Sequence, residues 1–230
     1  MATAKWTAVA TLPRKRRIPV QRRSRERVER ILEAAEQLVV RAGVEALSTR
    51  AVADRAQVPV ATLYQYFAGR EAIIRALIER HISSMDARIA AALSELQSYS
   101  VRTIVETTIG TYRADYRRRP SYVVLWFQGR QSADIAQFIR DRDELLADAF
   151  HRFATEIGLL KHDTDPLVIR LCFEISDRFL EAAYRHDVEG DDRLVDEGVE
   201  MIVSHLERYA TAAGVQGIDA GAVAARWGED

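Results

Sequence analysis

The side chains with the clearest capacity for recognition lie in residues 47–70, which read LSTRAVADRAQVPVATLYQYFAGR. Thr62, Tyr64, Gln65 and Tyr66 carry hydroxyl and amide groups in close succession, and no carboxylate lies among them. Groups of this kind form hydrogen bonds with phosphate oxygens and base edges, whereas a carboxylate would repel the phosphates. The spacing therefore indicates recognition of a polyanion rather than catalysis.

The elements that must position these side chains are two short helices. Ser48 can cap a helix that begins at Thr49, and the sequence predicts that this helix ends near Ala56. Pro59 disfavours helical backbone at the preceding residue but suits the first turn of a second helix over 59–67. Two such helices form a helix-turn-helix, although an ordinary helical hairpin inside a bundle remains an alternative on the pattern alone.

The run TRAVADRAQVPVATLYQYFAGREAI resembles the DNA-binding motif of the TetR (tetracycline-repressor-like) family of bacterial transcription regulators. The similarity extends back over a helix at 25–42 and forward beyond Gly69, and it covers about the first third of the chain. Two positions depart from the pattern. Pro59 stands where the family usually has a small hydroxyl residue, and Arg70 replaces the usual lysine. The arginine keeps the charge and can bind a phosphate with two hydrogen bonds.

We expect the DNA contacts to come from both helices of the motif. Thr62 and Gln65 are predicted to reach base edges or nearby phosphates, and Tyr64, Tyr66 and Arg70 to hold phosphates. The complete set of predicted DNA-binding residues is Thr49, Arg50, Val60, Ala61, Thr62, Tyr64, Gln65, Tyr66 and Arg70.

Composition favours an all-α chain. The 230 residues include 11 glycines and 5 prolines, which is few for a fold rich in turns, and apolar residues recur at helical spacing almost throughout. The formal charge of −1 is unevenly distributed: residues 1–30 carry ten Lys or Arg and only two acidic residues, whereas residues 81–230 carry 17 basic and 26 acidic residues. A basic end beside a helix-turn-helix suits contact with DNA at one end of the protein.

The predicted organisation has four parts. Residues 1–22 form a flexible basic arm, and residues 23–69 form a three-helix helix-turn-helix DNA-binding domain. Residues 70–212 form a helical ligand-binding and dimerisation domain that begins with a long helix over 70–96, and residues 213–230 form a flexible tail in which Trp227 is a possible anchor. The lone Cys172 and the absence of a membrane-length apolar run or a secretory signal predict a cytoplasmic protein, and the TetR resemblance implies a bacterial one.

The second domain is rich in aromatic residues, and these can line a pocket for a small apolar or aromatic molecule. The predicted ligand-binding residues are Tyr112, Tyr116, Trp126, Gln128, Phe150 and Phe173, although aromatic residues at helical spacing also form ordinary core. The sequence contains no metal-ligand spacing, nucleophile motif or dinucleotide fingerprint, so we expect no metal, no cofactor and no enzymatic activity.

The last two main helices present wide apolar faces. The resemblance implies that they pair with their copy in a homodimer, which would place two recognition helices at half-sites about one DNA turn apart. The alternative is that both faces are buried within one subunit. The predicted interface residues are Leu171, Ile175, Phe179, Val199, Ile202 and Leu206.

The sequence therefore predicts a homodimeric regulator, most simply a repressor that an unknown small molecule releases from a palindromic operator on double-stranded DNA. In the mechanism that the resemblance implies, the ligand changes the angle of the long helix and separates the two DNA-binding heads. Two alternatives remain open: a non-specific architectural DNA-binding protein that relies on the basic arm, and a helical small-molecule carrier or enzyme.

Overall fold

The computed structural model describes residues 22–128 and 132–227, which are almost entirely helical. The eleven α-helices of this part are α1 (Arg22–Ala42), α2 (Thr49–Ala56), α3 (Val60–Tyr64), α4 (Arg70–Ser94), α5 (Val101–Arg118), α6 (Pro120–Gln128), α7 (Ala133–Glu156), α8 (Pro166–Tyr184), α9 (Asp192–Glu207), α10 (Ala212–Gln216) and α11 (Ala220–Trp227). Between α1 and α2 lies a 3-10 turn, Val44–Ala46, and the strands β1 (Ser98–Tyr99) and β2 (Ile218–Asp219) pair antiparallel. The predicted all-α fold is confirmed.

Local capping explains several helix boundaries. The Asp165 side chain accepts a hydrogen bond from the Leu167 amide, and Pro166 occupies the first turn of α8. Asp191 caps α9 in the same way by accepting from the amides of Arg193 and Leu194. The predicted limits of α2 are confirmed.

The chain forms two compact units. The described part of the N-terminal unit comprises residues 22–84, 116–128 and 132–137, and that of the C-terminal unit comprises residues 85–115 and 138–227. The N-terminal unit thus holds the helix-turn-helix together with α6, which the sequence analysis assigned to the second domain. Its most deeply buried side chains include Ile31, Leu47, Val52, Leu63, Ile73 and Leu77.

The C-terminal unit is organised around the helical hairpin of α8 and α9. Gly198 of α9 is buried against Phe179 of α8, and a Cβ atom at Gly198 would lie 2.5 Å from Phe179 Cγ. The absence of a side chain at this position lets the two helices approach closely. Other fully buried residues of this unit include Met85, Leu159, Val195 and Val203.

Two segments differ from their predicted form. The second helix of the motif, expected over 59–67, ends at Tyr64, because the amides of Gln65 and Tyr66 form tighter i to i−3 bonds with Thr62 and Leu63. The predicted flexible tail over 213–230 contains α10, β2 and α11 as far as residue 227.

Contacts within the C-terminal unit account for the structure of this tail. The Thr211 hydroxyl caps α10 and donates to the Gly158 carbonyl, and Ile218 of β2 pairs with Tyr99 of β1. The Trp227 side chain lies outside the described residues, as does the predicted basic arm 1–22 apart from Arg22, where α1 begins.

Candidate nucleic-acid interface

The first helix of the motif is fixed at both ends by local interactions. Ser48 is extended and its hydroxyl accepts a hydrogen bond from the Ala51 amide at 3.1 Å, so the predicted cap is confirmed. Gln57 ends α2 in the left-handed conformation, with φ of 55° and ψ of 47°, and its amide donates to the carbonyls of Ala53 and Asp54. This positive φ creates the tight turn into α3, and the sequence analysis did not anticipate it.

The second helix begins without a side-chain cap because Pro59 stands at that position. The Pro59 carbonyl instead accepts from the amides of Thr62 and Leu63, at 2.9 and 3.2 Å. Leu63 is fully buried and Phe67 nearly so, which anchors α3 in the N-terminal unit. The opposite face of α3 is therefore directed to solvent.

The predicted DNA-binding residues of α2 and α3 largely share this solvent-facing surface. Tyr64 is 53% exposed and Val60 is 36% exposed. Arg50, Ala61 and Gln65 are also exposed, whereas Thr49, Thr62 and Tyr66 are half-buried. A hydrogen bond of 3.3 Å between the hydroxyl groups of Thr49 and Tyr64 joins the two helices on this surface.

The first turns of α1 add two residues, Ser24 and Arg27, that are not among the predicted DNA-binding residues. The Ser24 hydroxyl donates to the Tyr66 phenol oxygen at 3.4 Å. This bond, together with the neighbouring Arg27 guanidinium, lowers the pKa of Tyr66. Ser24 and Arg27 lie one helical turn apart on α1, and Ser24 belongs to the first turn, where the unpaired amides of a helix favour an anion. Their proximity to Tyr66 depends on tertiary packing, so no local sequence signal could have identified them.

Arg70 occupies a different environment from the one expected of a phosphate ligand. Its Nε atom donates to the Leu47 carbonyl at 2.9 Å, and its Nη2 atom donates to the Val44 carbonyl at 3.0 Å. Its Nη1 atom forms an ion pair with Glu71 at 3.0 Å. All three guanidinium nitrogens thus bond within the chain, which fixes the turn before α2 to the start of α4. Phosphate binding by Arg70 stays a prediction, and the geometry favours a structural role.

The predicted ligand-binding residues are divided between the two units. Tyr116 and Trp126 belong to the N-terminal unit and are buried around His81, with ring centroids 6.2 and 5.8 Å from that of His81. Tyr112, Phe150 and Phe173 belong to the C-terminal unit and are half-buried. Gln128 ends α6, and its side chain lies outside the described residues.

A buried charged cluster in the C-terminal unit was not predicted. The Arg142 guanidinium, only 6% exposed, donates to Asp86 and to Asp143, the latter at 3.0 Å. Burial raises the pKa of Asp143 to about 6, against the opposing effect of Arg142. Burial also raises the pKa of Tyr112, which interacts electrostatically with Arg142 and Asp86. The surroundings of Tyr112 therefore include the buried charges of Arg142 and Asp86.

The predicted dimer residues differ in how much surface they offer. Val199, Ile202 and Leu206 are buried within the chain, whereas Ile175 and Phe179 are half-buried and Leu171 is 44% exposed. Leu167 of α8 and Met201 of α9 are more exposed still, at 64% and 61%, and were not predicted. These exposed residues, rather than the buried three, present the apolar area of the hairpin to solvent.

Two further observations bear on other kinds of site. Within residues 22–128 and 132–227, no three His, Cys, Asp or Glu side chains are grouped as ligands for a metal ion. Among the described helices, none has the length and apolar character that spanning a bilayer requires.

Comparison with protein families matches the helix-turn-helix and the later helices to two separate models. Residues 31–77 match the family model described as bacterial regulatory proteins, tetR family. Residues 100–206 match the model described as tetracyclin repressor-like, C-terminal domain.

Curated relatives match over a short part of the chain. The HTH-type transcriptional repressor KstR of Mycobacterium tuberculosis is 44% identical over 64 residues, which is 28% of this chain and 29% of KstR. KstR of Rhodococcus jostii is 41% identical over 64 residues, or 28% of this chain and 30% of that protein. The chain thus spans less than a third of the length of these relatives.

Solved structures match over most of the chain. A TetR-family transcriptional regulator from Streptomyces coelicolor has a TM-score of 0.63 and 28% identity, covering 80% of this chain and 98% of that one. FadR from Bacillus subtilis, solved in complex with stearoyl-CoA, has a TM-score of 0.59 and 15% identity, covering 77% and 98%. The second likeness shows the fold alone. Because two models of one family together match about two thirds of the residues, the chain belongs to the TetR family of bacterial regulatory proteins.

Proposed function

We propose that this chain is a sequence-specific DNA-binding repressor that responds to a small molecule and acts as a homodimer in the bacterial cytoplasm. The observation that carries the proposal is the solvent-facing surface of α2 and α3, where Arg50, Tyr64 and Gln65 are exposed on a helix-turn-helix. Hydroxyl, amide and guanidinium groups in this arrangement can hold phosphates and read base edges. The proposal assigns the protein no catalytic step.

Family membership and the named relatives support the same proposal. KstR, which matches the chain over 64 residues, is named a transcriptional repressor. The model for the tetR family covers α2 and α3 completely. The predicted DNA contacts and the predicted domain limits are part of the proposal.

The proposed homodimer uses the hairpin of α8 and α9. Leu167, Leu171 and Met201 expose apolar surface on these helices, and burial of such surface favours association. A dimer would also supply two recognition helices for a palindromic site. We expect Leu171→Glu and Met201→Glu to give monomers in sedimentation velocity. Val40→Glu, at an equally exposed position on α1, should remain dimeric, and dimers in all three variants would place the interface elsewhere.

The proposed response to a small molecule runs through α4. This helix is continuous from Arg70 to Ser94 and contributes residues to both units. A ligand held by the C-terminal unit could thereby alter the spacing of two DNA-binding heads. FadR from Bacillus subtilis is a TetR-fold protein with bound stearoyl-CoA, and it provides a precedent for a ligand in this fold but not for its identity here.

Selection of duplexes from random DNA by the purified full chain, at stated salt concentrations, tests the proposal. We expect enrichment of one palindrome, and loss of its binding in the double variant Arg50→Ala, Tyr64→Ala. Arg152→Ala provides a control because Arg152 is an exposed arginine of the C-terminal unit. Salt-dependent binding without an enriched sequence would instead indicate an architectural protein, and no binding would refute a role on DNA.

A further inference from the structure

The carboxylate of Glu36 joins three helices of the N-terminal unit. Glu36 lies on α1, and its Oε1 atom accepts a hydrogen bond of 2.9 Å from the hydroxyl of Ser121 in the first turn of α6. Its Oε2 atom accepts from the Arg80 guanidinium of α4. Each carboxylate oxygen therefore serves a different neighbouring helix.

The bridge that the Glu36 carboxylate forms with Ser121 and Arg80 lies where water has little access to replace its hydrogen bonds. Ser121 is only 4% exposed, and the side chains of Glu36 and Arg80 are about three quarters buried. A buried hydroxyl that loses its acceptor incurs the cost of desolvation without compensation. Arg80 has one further carboxylate partner, Glu29 of α1, at 3.5 Å. Among these contacts, the Glu36 carboxylate is the acceptor that receives hydrogen bonds from both α6 and α4.

An aromatic cluster beside the bridge packs α6 against α4. The ring of His81, which follows Arg80, lies 3.9 Å from that of Tyr122 and 5.8 Å from that of Trp126, measured between centroids. Tyr122 directly follows Ser121, so the polar bridge and the aromatic cluster meet in the first turn of α6. A displacement of α6 would thus disturb both the His81 ring and the Glu36 carboxylate.

We propose that Glu36 is a positioning residue that couples α6 to the DNA-binding helices through the Ser121 bond. The inference rests on the proposed function. Helix α1 carries Ser24, the hydrogen-bond partner of Tyr66, in its first turn and Glu36 about three turns further along. Because α1 is one continuous helix, a movement of α1 at Glu36 also moves its first turn, which lies at the predicted DNA surface. By linkage, an event that moves α6 alters DNA affinity, and bound DNA holds α6 in place.

Hydrogen exchange of the full chain, with and without the duplex enriched by selection, tests this coupling. In the wild type, bound DNA should slow the exchange of the amides of residues 121–128 by about fivefold, the size expected of one net hydrogen bond. In Ser121→Ala, which removes the donor at little change in volume, this DNA-dependent slowing should disappear. In Glu36→Gln, which weakens the Arg80 contact and keeps an acceptor, it should be reduced.

The control is Glu33→Gln, which makes the same charge change at an exposed position of α1 and should behave as the wild type does. The free energy of unfolding, measured separately for each variant, distinguishes a loss of coupling from a general loss of stability. DNA binding with no slowing in residues 121–128, or equal slowing in the wild type and Ser121→Ala, would overturn the coupling alone. Failure to bind any duplex would overturn the proposed function together with it.

Discussion

The hydroxyl groups of Thr49 and Tyr64 lie 3.3 Å apart and connect the first residue of α2 to the last residue of α3. Tyr64 is nevertheless half exposed, so its hydroxyl is held at the surface rather than enclosed. A phenol oriented in this way loses little conformational freedom when a phosphate binds, because its position is already set.

Removal of this hydroxyl should weaken DNA binding without changing its electrostatics. We expect Tyr64→Phe to raise the Kd for the selected duplex by about tenfold, the size of a hydrogen bond to a charged group, with an unchanged dependence on salt. Arg50→Ala should instead lower the slope of log K against log salt by about one, because one phosphate charge is no longer neutralised. Fluorescence anisotropy at several salt concentrations measures both. Identical salt slopes for the wild type and Arg50→Ala would show that Arg50 makes no phosphate contact.

Arg70 should contribute to stability in the absence of DNA. We expect Arg70→Ala to lower the free energy of unfolding by about 2 kcal/mol, because the carbonyls of Leu47 and Val44 lose a charged donor. Arg75→Ala, five residues along α4 in an exposed pair with Glu79, should cost at most about 0.5 kcal/mol. Urea denaturation of the free protein checks both values. Equal stabilities for the two variants would show that the bonds from Arg70 to these carbonyls contribute no more than an exposed ion pair does.

The sequence predicts those features of the fold that local interactions determine. Ser48 caps the helix that follows it, as predicted, and a cap acts within three residues of its own position. The left-handed Gln57 escaped prediction because this conformation is uncommon for a residue other than glycine and leaves no compositional trace.

Interactions between residues that are distant in sequence explain the remaining differences between the predicted and the observed structure. Arg70 and Leu47 are 23 residues apart, and Arg142 and Asp86 are 56 apart, so tertiary packing alone selects these partners. The predicted ligand-binding aromatic residues fall into two units for the same reason. Helical periodicity indicates which face of a helix is apolar, but it does not indicate which other helix packs against that face.

Cys172 should be unreactive in the folded protein. The thiol is buried, and burial raises its pKa to about 11, so little thiolate forms near neutral pH. We expect iodoacetamide at pH 7.5 to label the native chain far more slowly than the urea-unfolded chain, as measured by mass spectrometry. Rapid labelling of native protein, or a change in DNA binding after mild peroxide treatment of the wild type but not of Cys172→Ser, would indicate a redox role instead.

Two glycines in the C-terminal unit should respond in opposite ways to substitution by alanine. Gly198→Ala places a methyl group against the Phe179 ring, and we expect it to lower the free energy of unfolding by about 1–3 kcal/mol. Gly110→Ala adds a methyl group on α5 with no atom within 4 Å, and should raise stability by about 0.5–1 kcal/mol through helix propensity. Urea denaturation of both variants gives the comparison. Stabilisation by both substitutions would mean that α8 and α9 pack less closely at this point.

Asp143 should make stability depend on pH between about 4 and 6. Burial raises the pKa of its carboxyl to about 6 in the folded protein, above the ordinary value of 3.8, so the folded chain binds a proton before the unfolded chain does as the pH falls. Its contribution to stability is therefore greatest below pH 4 and is lost as the pH rises through 6. The charged groups that act on it are Arg142, Asp177 and Glu174.

Asp143→Asn isolates this contribution because asparagine approximates the protonated side chain at every pH. We expect the variant to be more stable than the wild type at pH 7 and the difference to shrink towards pH 4, as measured by urea denaturation at each pH. Arg142 keeps its bond to Asp86 in the variant, so the buried guanidinium retains a carboxylate partner. A variant less stable than the wild type at pH 7 would show that the ion pair with Arg142 outweighs the desolvation of Asp143.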